Sequence, residues 1–137
     1  MNTWLLLVAG AHLGFQLTVD LVVYPALRDV GPEDWTRAHA AHSRRITPVV
    51  GLVYVPLVLV LGWAAVAEPD DVGTWVAVAG GLLAVGTTAA VAAPVHGRLS
   101  SAGEDRRAAL LDRLTRADRV RTVGAVVCTV GALLVAL

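Results

Sequence analysis

The chain has 137 residues, 56% of them hydrophobic and only 16% charged, and its acidic and basic side chains balance to a net charge of zero. The apolar share exceeds that of ordinary soluble domains, and the lack of net positive charge gives no indication of nucleic-acid binding. The length predicts one domain, 1–137. The single cysteine, Cys128, excludes an intramolecular disulfide and is expected to serve packing.

Four apolar runs, at about 3–27, 46–67, 73–95 and 120–137, each reach or approach the roughly 20 residues that a transmembrane helix needs. They predict an all-α fold, an integral membrane four-helix bundle. The polar segment 100–119 has leucines on one side and predicts a short interfacial helix between the third and fourth helices. The tryptophans lie near span ends and predict anchors at the membrane surface. They are Trp4, Trp35, Trp63 and Trp75.

The first apolar run contains three polar residues, His12, Gln16 and Asp20, at positions i, i+4 and i+8. At roughly 100° per residue they drift by only about 40° per step, so they form one polar stripe. Ionisable groups in a span normally face a bundle interior or a partner. The stripe therefore predicts a functional site, and Pro25 is expected to end this helix near Tyr24.

The next helix is predicted to follow the Pro-Glu-Asp sequence at 32–34, a combination typical of a helix start. It carries His39 and His42 ahead of its apolar residues, and Pro48 and Pro56 should kink it. The i, i+3 spacing of the two histidines presents both imidazoles on one face, which suits two ligands of one metal ion. The alternative is a solvated or headgroup-facing surface.

The depth of the histidine pair can be compared with that of the polar stripe. If the first two helices reverse direction around residue ~29, equal rise per residue places Asp20 level with residue ~38, Gln16 with ~42 and His12 with ~46. Asp20 would then complete a set of nitrogen and oxygen ligands that suits Fe, Cu, Zn or Mn. The predicted metal ligands are His39, His42, Asp20 and His96.

The third run is rich in small residues, and one of its faces predicts close packing against a neighbouring helix. That face consists of Gly81, Ala84, Thr88, Ala92 and His96. His96 either reaches the site or caps the helix end. Asp118 and Arg121 open the fourth span at i, i+3, as an ion pair, and Arg121 is a candidate for binding an anionic substrate oxygen.

All 11 basic residues are arginines, and they are distributed very unevenly. Four lie in 28–45 and seven in 98–121, whereas none lies in 68–73. Positively charged connectors remain in the cytoplasm. The sequence therefore predicts an inner (cell) membrane protein with both termini and 68–73 outside.

Three short segments carry a resemblance to a known family. They are Tyr24-Pro25-Ala26-Leu27 in the first helix, Pro94-Val95-His96-Gly97-Arg98-Leu99 in the third, and Asp118-Arg119-Val120-Arg121-Thr122 in the fourth. In these segments the chain resembles the anthrone-oxygenase-like family of small four-helix membrane proteins. The resemblance implies oxygenation or oxidation of an apolar, often aromatic or polyketide-like, molecule at the membrane.

These patterns predict a small membrane oxidoreductase or oxygenase that acts on a lipophilic small molecule, with a transition metal as a candidate cofactor. The predicted catalytic residues are Asp20, His96 and Arg121, and His12 and Gln16 are predicted to bind a cofactor. One alternative is a non-catalytic protein or subunit that carries haem, quinone or metal, with His12 and His42 as axial ligands of a haem. Another is a scaffold in which the stripe only fixes helix register. A homo-oligomer is compatible with each.

Overall fold

The computed structural model describes residues 2–137, and these form four long helices without a strand. The first helix comprises Asn2–Thr18, a π-helical turn at Val19–Val23 and a last segment, Tyr24–Arg28. The second helix is Trp35–Ala67. The third comprises Val72–Thr87, a π-helical turn at Thr88–Ala92 and Ala93–Leu99, and the fourth is Glu104–Ala136. The predicted all-α four-helix bundle is confirmed.

All four helices are long and apolar enough to cross a membrane. Much of their apolar surface faces outward, and large side chains such as Leu21, Leu52, Leu59 and Val66 are exposed. In water, apolar patches of this extent would have to be covered by a partner, whereas lipid tails are a suitable solvent for them. The chain is therefore a membrane protein.

The helices alternate in direction, so connectors 29–34 and 100–103 lie at one end of the bundle. The start of the first helix, the end of the fourth and residues 68–71 lie at the other. The first of these ends, with the helix segments beside it, carries all 11 arginines, and we call it the Arg-rich end.

The segment 100–119 does not form a separate interfacial helix. Most of it belongs to the fourth helix, which runs unbroken from Glu104 to Ala136. Its leucines face the protein interior, where Leu111 and Leu114 pack in a core with Leu27 and Leu99. The periodicity of the segment correctly indicated an apolar face, but that face is covered by neighbouring helices.

The two π-helical turns explain why Pro25 does not end the first helix. Each turn is followed, two residues later, by a proline at the start of the next α-helical segment: Pro25 after Val19–Val23, and Pro94 after Thr88–Ala92. Proline lacks a backbone N–H, but near the start of an α-helical segment that N–H would have no carbonyl partner within the helix. The wider π turn thus accommodates the proline, and both helices continue to the Arg-rich end.

Glycines bring the third and fourth helices into close contact, which is the most extensive in the bundle. A Cβ added at Gly124 would lie 2.7 Å from the carbonyl oxygen of Gly80, and one added at Gly131 would lie 2.6 Å from that of Gly73. Both distances are too short for any other residue. The predicted packing face on the third helix is confirmed at Gly81, which is buried against Leu61 of the second helix.

Candidate functional site

A cavity of about 320 Å³ lies within the half of the bundle near the Arg-rich end, and we call it the inner pocket. All four helices contribute to its wall. The lining residues are Phe15, Val19, Tyr24, His42, Ser43, Ile46, Thr47, Val50, Thr88, Ala92, Ala93, His96 and Arg121. Its exposed members, Thr47 and Ala93, belong to the second and third helices. The mouth of the inner pocket therefore lies between these two helices.

Backbone geometry creates this space. The second helix packs against the third mainly along Val72–Thr87, so the two helices are farther apart near the Arg-rich end. The π-helical turns border the resulting gap, one through Val19 and the other through Thr88 and Ala92. Such turns occur frequently at functional sites because they interrupt regular helix packing.

Three histidines from two helices form what we call the imidazole stack: His39, His42 and His96. The ring centroid of His96 lies 5.8 Å from that of His39 and 5.7 Å from that of His42, with the planes inclined by only 22° and 24°. The centroids of His39 and His42 are 6.5 Å apart. The sequence-based prediction that these three residues meet is therefore correct, and His96 stacks on both of the others.

Two further planar groups extend the imidazole stack toward the fourth helix. The indole of Trp35 stacks on His39 with a centroid distance of 5.2 Å, and the guanidinium of Arg107 lies 4.7 Å above the indole. Trp35 is buried, and its Nε1 donates a hydrogen bond of 3.3 Å to the carbonyl of Leu99. It thus supports the stack and does not anchor the helix in lipid, unlike Trp4, Trp63 and Trp75, which are exposed.

Asp20 does not contact the imidazole stack in any interaction that the structure describes. Ligands of one metal ion direct their donor atoms at a common point about 2 Å away. Within residues 2–137 no three His, Cys, Asp or Glu side chains are arranged to hold a metal ion. The fit to a metal is poor as the side chains stand, and the metal site stays a prediction.

A chain of hydrogen bonds leads from the imidazole stack into the bundle. The hydroxyl of Tyr24 lies 3.5 Å from Nε2 of His96 and accepts a hydrogen bond of 3.0 Å from Arg121. Arg121 also forms the predicted ion pair with Asp118, and both side chains are buried. A buried ion pair is costly unless its hydrogen bonds are satisfied. Here Arg121 pairs with a carboxylate and with a phenol at the pocket wall, while its Nε and Oδ2 of Asp118 have no hydrogen-bond partner among the described residues.

The network continues beyond Asp118 through uncharged groups. Nε2 of Gln16 donates to Asp118 at 3.5 Å, and Tyr54 donates to Oε1 of Gln16 at 3.3 Å. The Tyr54 hydroxyl also lies 3.1 Å from that of Thr88 in the second π-helical turn. Gln16 is fully buried. Gln16 therefore links the second and fourth helices, and it joins the site as a partner of Asp118.

His12 lies deeper in the bundle and is fully buried. Its ring contacts that of Tyr54 edge to face, with 4.9 Å between centroids. Neither ring nitrogen has a hydrogen-bond partner among the described residues. His42 stacks on His96 and not on His12, so the structure gives no support to a haem held between His12 and His42.

Sequence analysis assigned no role in the site to Tyr24 or Tyr54, yet both hydroxyls belong to it. Tyr24 could have been found, because it continues the stripe of His12, Gln16 and Asp20 by one more step of four residues. Tyr54 stands alone in an apolar run and gives no such signal.

No protein-family model, curated protein or solved structure matches this chain. The site is therefore interpreted from its own geometry, and the likeness to anthrone oxygenases remains a hypothesis from the three sequence segments.

Proposed function

We propose that this protein is a membrane oxidoreductase that oxidises a lipophilic ring compound bearing a ketone or phenol oxygen in the inner pocket. One observation carries the proposal. An apolar cavity with its mouth between two membrane-spanning helices is lined by four contiguous polar side chains, one from each helix, namely His42, His96, Tyr24 and Arg121. Largely apolar pockets with a few convergent polar groups are typical small-molecule sites.

The membrane orientation forms part of this proposal. Because all arginines lie at or near one end of the bundle, that end faces the cytoplasm. The inner pocket then lies in the cytoplasmic half of the membrane, and both termini face outward.

The oxidation of an anthrone illustrates the reaction class. In this reaction a ring CH₂ group gives up two hydrogens and becomes a carbonyl. One oxygen atom of O₂ enters the product and the other leaves as water with those hydrogens. Atoms and electrons balance with O₂ as the sole oxidant, so no separate reductant is required.

The residues around the inner pocket suit the first step, which is removal of a proton from the ring CH₂ group. His96 or His42 acts as the general base, a role for which histidine is the commonest choice. The negative charge that develops on the substrate oxygen is stabilised by donors already in place, the Tyr24 hydroxyl and the Arg121 guanidinium. Asp118 holds Arg121 in position from the side away from the substrate.

The proposal is tested with protein purified into lipid nanodiscs and supplied with anthrone in air. We expect O₂ uptake and the appearance of anthraquinone absorbance. His96→Ala should lower turnover by about 10²–10⁴-fold, the usual range for loss of a general base. Arg119→Gln, an exposed change two residues from Arg121, is the matched control and should retain activity. Equal rates in protein and empty nanodiscs would refute the proposal.

Metal dependence is tested separately by elemental mass spectrometry of the same sample. Stoichiometric Fe, Cu or Zn that is lost in His39→Ala and His42→Ala would support the predicted metal site. Full activity at a metal content far below one per chain would contradict it.

A non-catalytic quinone carrier is the alternative that one contact favours. The Tyr24 hydroxyl and the His96 ring nitrogen, 3.5 Å apart, form a pair that can hydrogen-bond a quinone carbonyl. Saturable quinone binding without any turnover of anthrone or of a hydroquinone would establish this alternative.

A further inference from the structure

A second cavity of about 360 Å³ lies between the second and third helices, nearer the Arg-rich end, and we call it the outer chamber. It is lined by Thr36, His39, Ala40, Ser43, His96, Gly97 and Ser100. Four of these residues are exposed, namely Thr36, Ala40, Gly97 and Ser100. The outer chamber therefore opens at the surface of the bundle close to its end.

The two cavities differ in the size of the side chains that line them. The inner pocket is lined by large apolar side chains, among them Phe15, Val19 and Ile46. The outer chamber has none: its lining residues are three with hydroxyl groups, two histidines, one alanine and one glycine. A cavity of about 360 Å³ has room for roughly twelve water molecules at about 30 Å³ each, and the hydroxyl groups and imidazoles on its wall can bind them.

The imidazole stack separates these cavities. His42 lines only the inner pocket and His39 only the outer chamber, whereas His96 and Ser43 line both. The ring of His96 stacks on those of both His39 and His42, and His39 and His42 lie 6.5 Å apart, so the three imidazoles form one contiguous cluster that borders both cavities.

We propose that the outer chamber is a water-binding site in contact with the cytoplasmic solution, and that His96 is the wall that separates it from the lipid-side inner pocket. Its use rests on the proposed function: the oxidation forms water, which needs a polar exit, and an imidazole base must exchange its proton with solvent. The separation of a wet cavity from an apolar one does not depend on that reaction.

Cysteine accessibility in lipid nanodiscs tests the proposal, since both ends of the bundle meet solvent there while the sides meet lipid. The background is Cys128→Ala, which removes the native buried thiol. Single cysteines replace Ala40 in the outer chamber, Val50 in the inner pocket and Leu52 on the exposed apolar surface of the same helix. The probe is a methanethiosulfonate reagent that carries a fixed positive charge, and neutral N-ethylmaleimide verifies that each thiol can react.

We expect Ala40→Cys to react with the cationic probe at least about 50-fold faster than Val50→Cys, because a fixed charge is costly at apolar membrane depth. Adding His96→Ala should raise the rate at Val50→Cys toward that at Ala40→Cys and leave Leu52→Cys slow. Ser43→Gly thins the same wall, so it replaces His96→Ala if that variant does not fold.

Two results would overturn the proposal. Equal rates at Ala40→Cys and Val50→Cys with His96 intact would mean that no wall exists. A rate at Ala40→Cys as low as that at Leu52→Cys would mean that the outer chamber is not aqueous. Labelling requires no substrate, so protein that fails to oxidise anthrone but gives the expected pattern would refute the reaction and retain the aqueous chamber.

Discussion

The two halves of the bundle are held together by different means. Toward the termini, Gly73, Gly80, Gly124 and Gly131 let the third and fourth helices approach until their backbones touch. Toward the Arg-rich end, π-helical turns and a spread second helix leave two cavities, and side chains bridge the gap through hydrogen bonds and stacked rings. A membrane bundle without a hydrophobic driving force between its helices can thus combine a tightly packed half with a half that has room for a ligand.

The buried ion pair offers the largest test of the Arg-rich half. Arg121→Leu leaves Asp118 charged and unpaired in a buried site, which should lower the free energy of unfolding by about 3–5 kcal/mol. Equilibrium unfolding in mixed micelles measures this change. Asp118→Asn combined with Arg121→Leu should recover a large part of the loss, whereas equal instability of the single and double variants would show that the charge itself is not responsible.

The glycine contacts provide the corresponding test of the other half. Gly80→Ala places a Cβ against the backbone of the fourth helix at Cys128, and overpacking of this kind should cost about 1–3 kcal/mol in the free energy of unfolding. Gly86→Ala is the matched control on the same helix, since a Cβ there meets nothing within 4 Å. If both variants unfold alike, the described contact between the third and fourth helices is wrong.

Loss of a single hydrogen bond beside the imidazole stack should have a smaller effect. Trp35→Phe removes the Nε1 donor to the Leu99 carbonyl and keeps an aromatic ring next to His39. We expect a loss of about 0.5–1.5 kcal/mol in unfolding free energy. Trp63→Phe, at an exposed position, is the control. A loss of unfolding free energy no larger than that caused by Trp63→Phe would support the original prediction that Trp35 is an anchor at the membrane surface.

The smallest effect is expected at the surface ion pair between Arg28 and Asp112, whose side chains are 38% and 62% exposed. Arg28→Gln should change the unfolding free energy by only about 0.2–1 kcal/mol, less at high salt. Comparing this loss with the loss caused by Arg121→Leu then shows how much burial increases the cost of breaking an Arg–Asp ion pair. A loss at Arg28 as large as that at Arg121 would show that burial does not decide the outcome.

Apolar run length was sufficient to predict the four helices, because a bilayer imposes a nearly fixed length on each span. It was also possible to predict that His39, His42 and His96 lie near one another, since rise per residue fixes depth along the helix axis. Rise alone does not fix rotation about that axis. Among the described residues Asp20 has no recorded contact with the three histidines, so the predicted pairing is not seen.

Two other features could not be predicted for a related reason. The leucines at Leu111 and Leu114 indicate an apolar face, but a periodic pattern does not say whether lipid or protein covers it. Continuation through Pro25 depends on the π-helical turn before it, and no residue in Val19–Val23 marks such a turn. The cavities arise from these irregularities, so they too were not predictable.

The mouth of the inner pocket lies between Thr47 and Ala93, on the side of the bundle, and this position determines which concentration of ligand sets the occupancy of the pocket. A molecule that enters sideways comes from the bilayer phase, so its mole fraction in the lipid sets occupancy, and its concentration in the buffer does not. Apparent affinity will then weaken when lipid is added at constant total ligand, because dilution occurs in two dimensions. Compounds that partition strongly into lipid will show a high apparent affinity when it is calculated from their concentration in buffer, even where their contacts with the protein are modest.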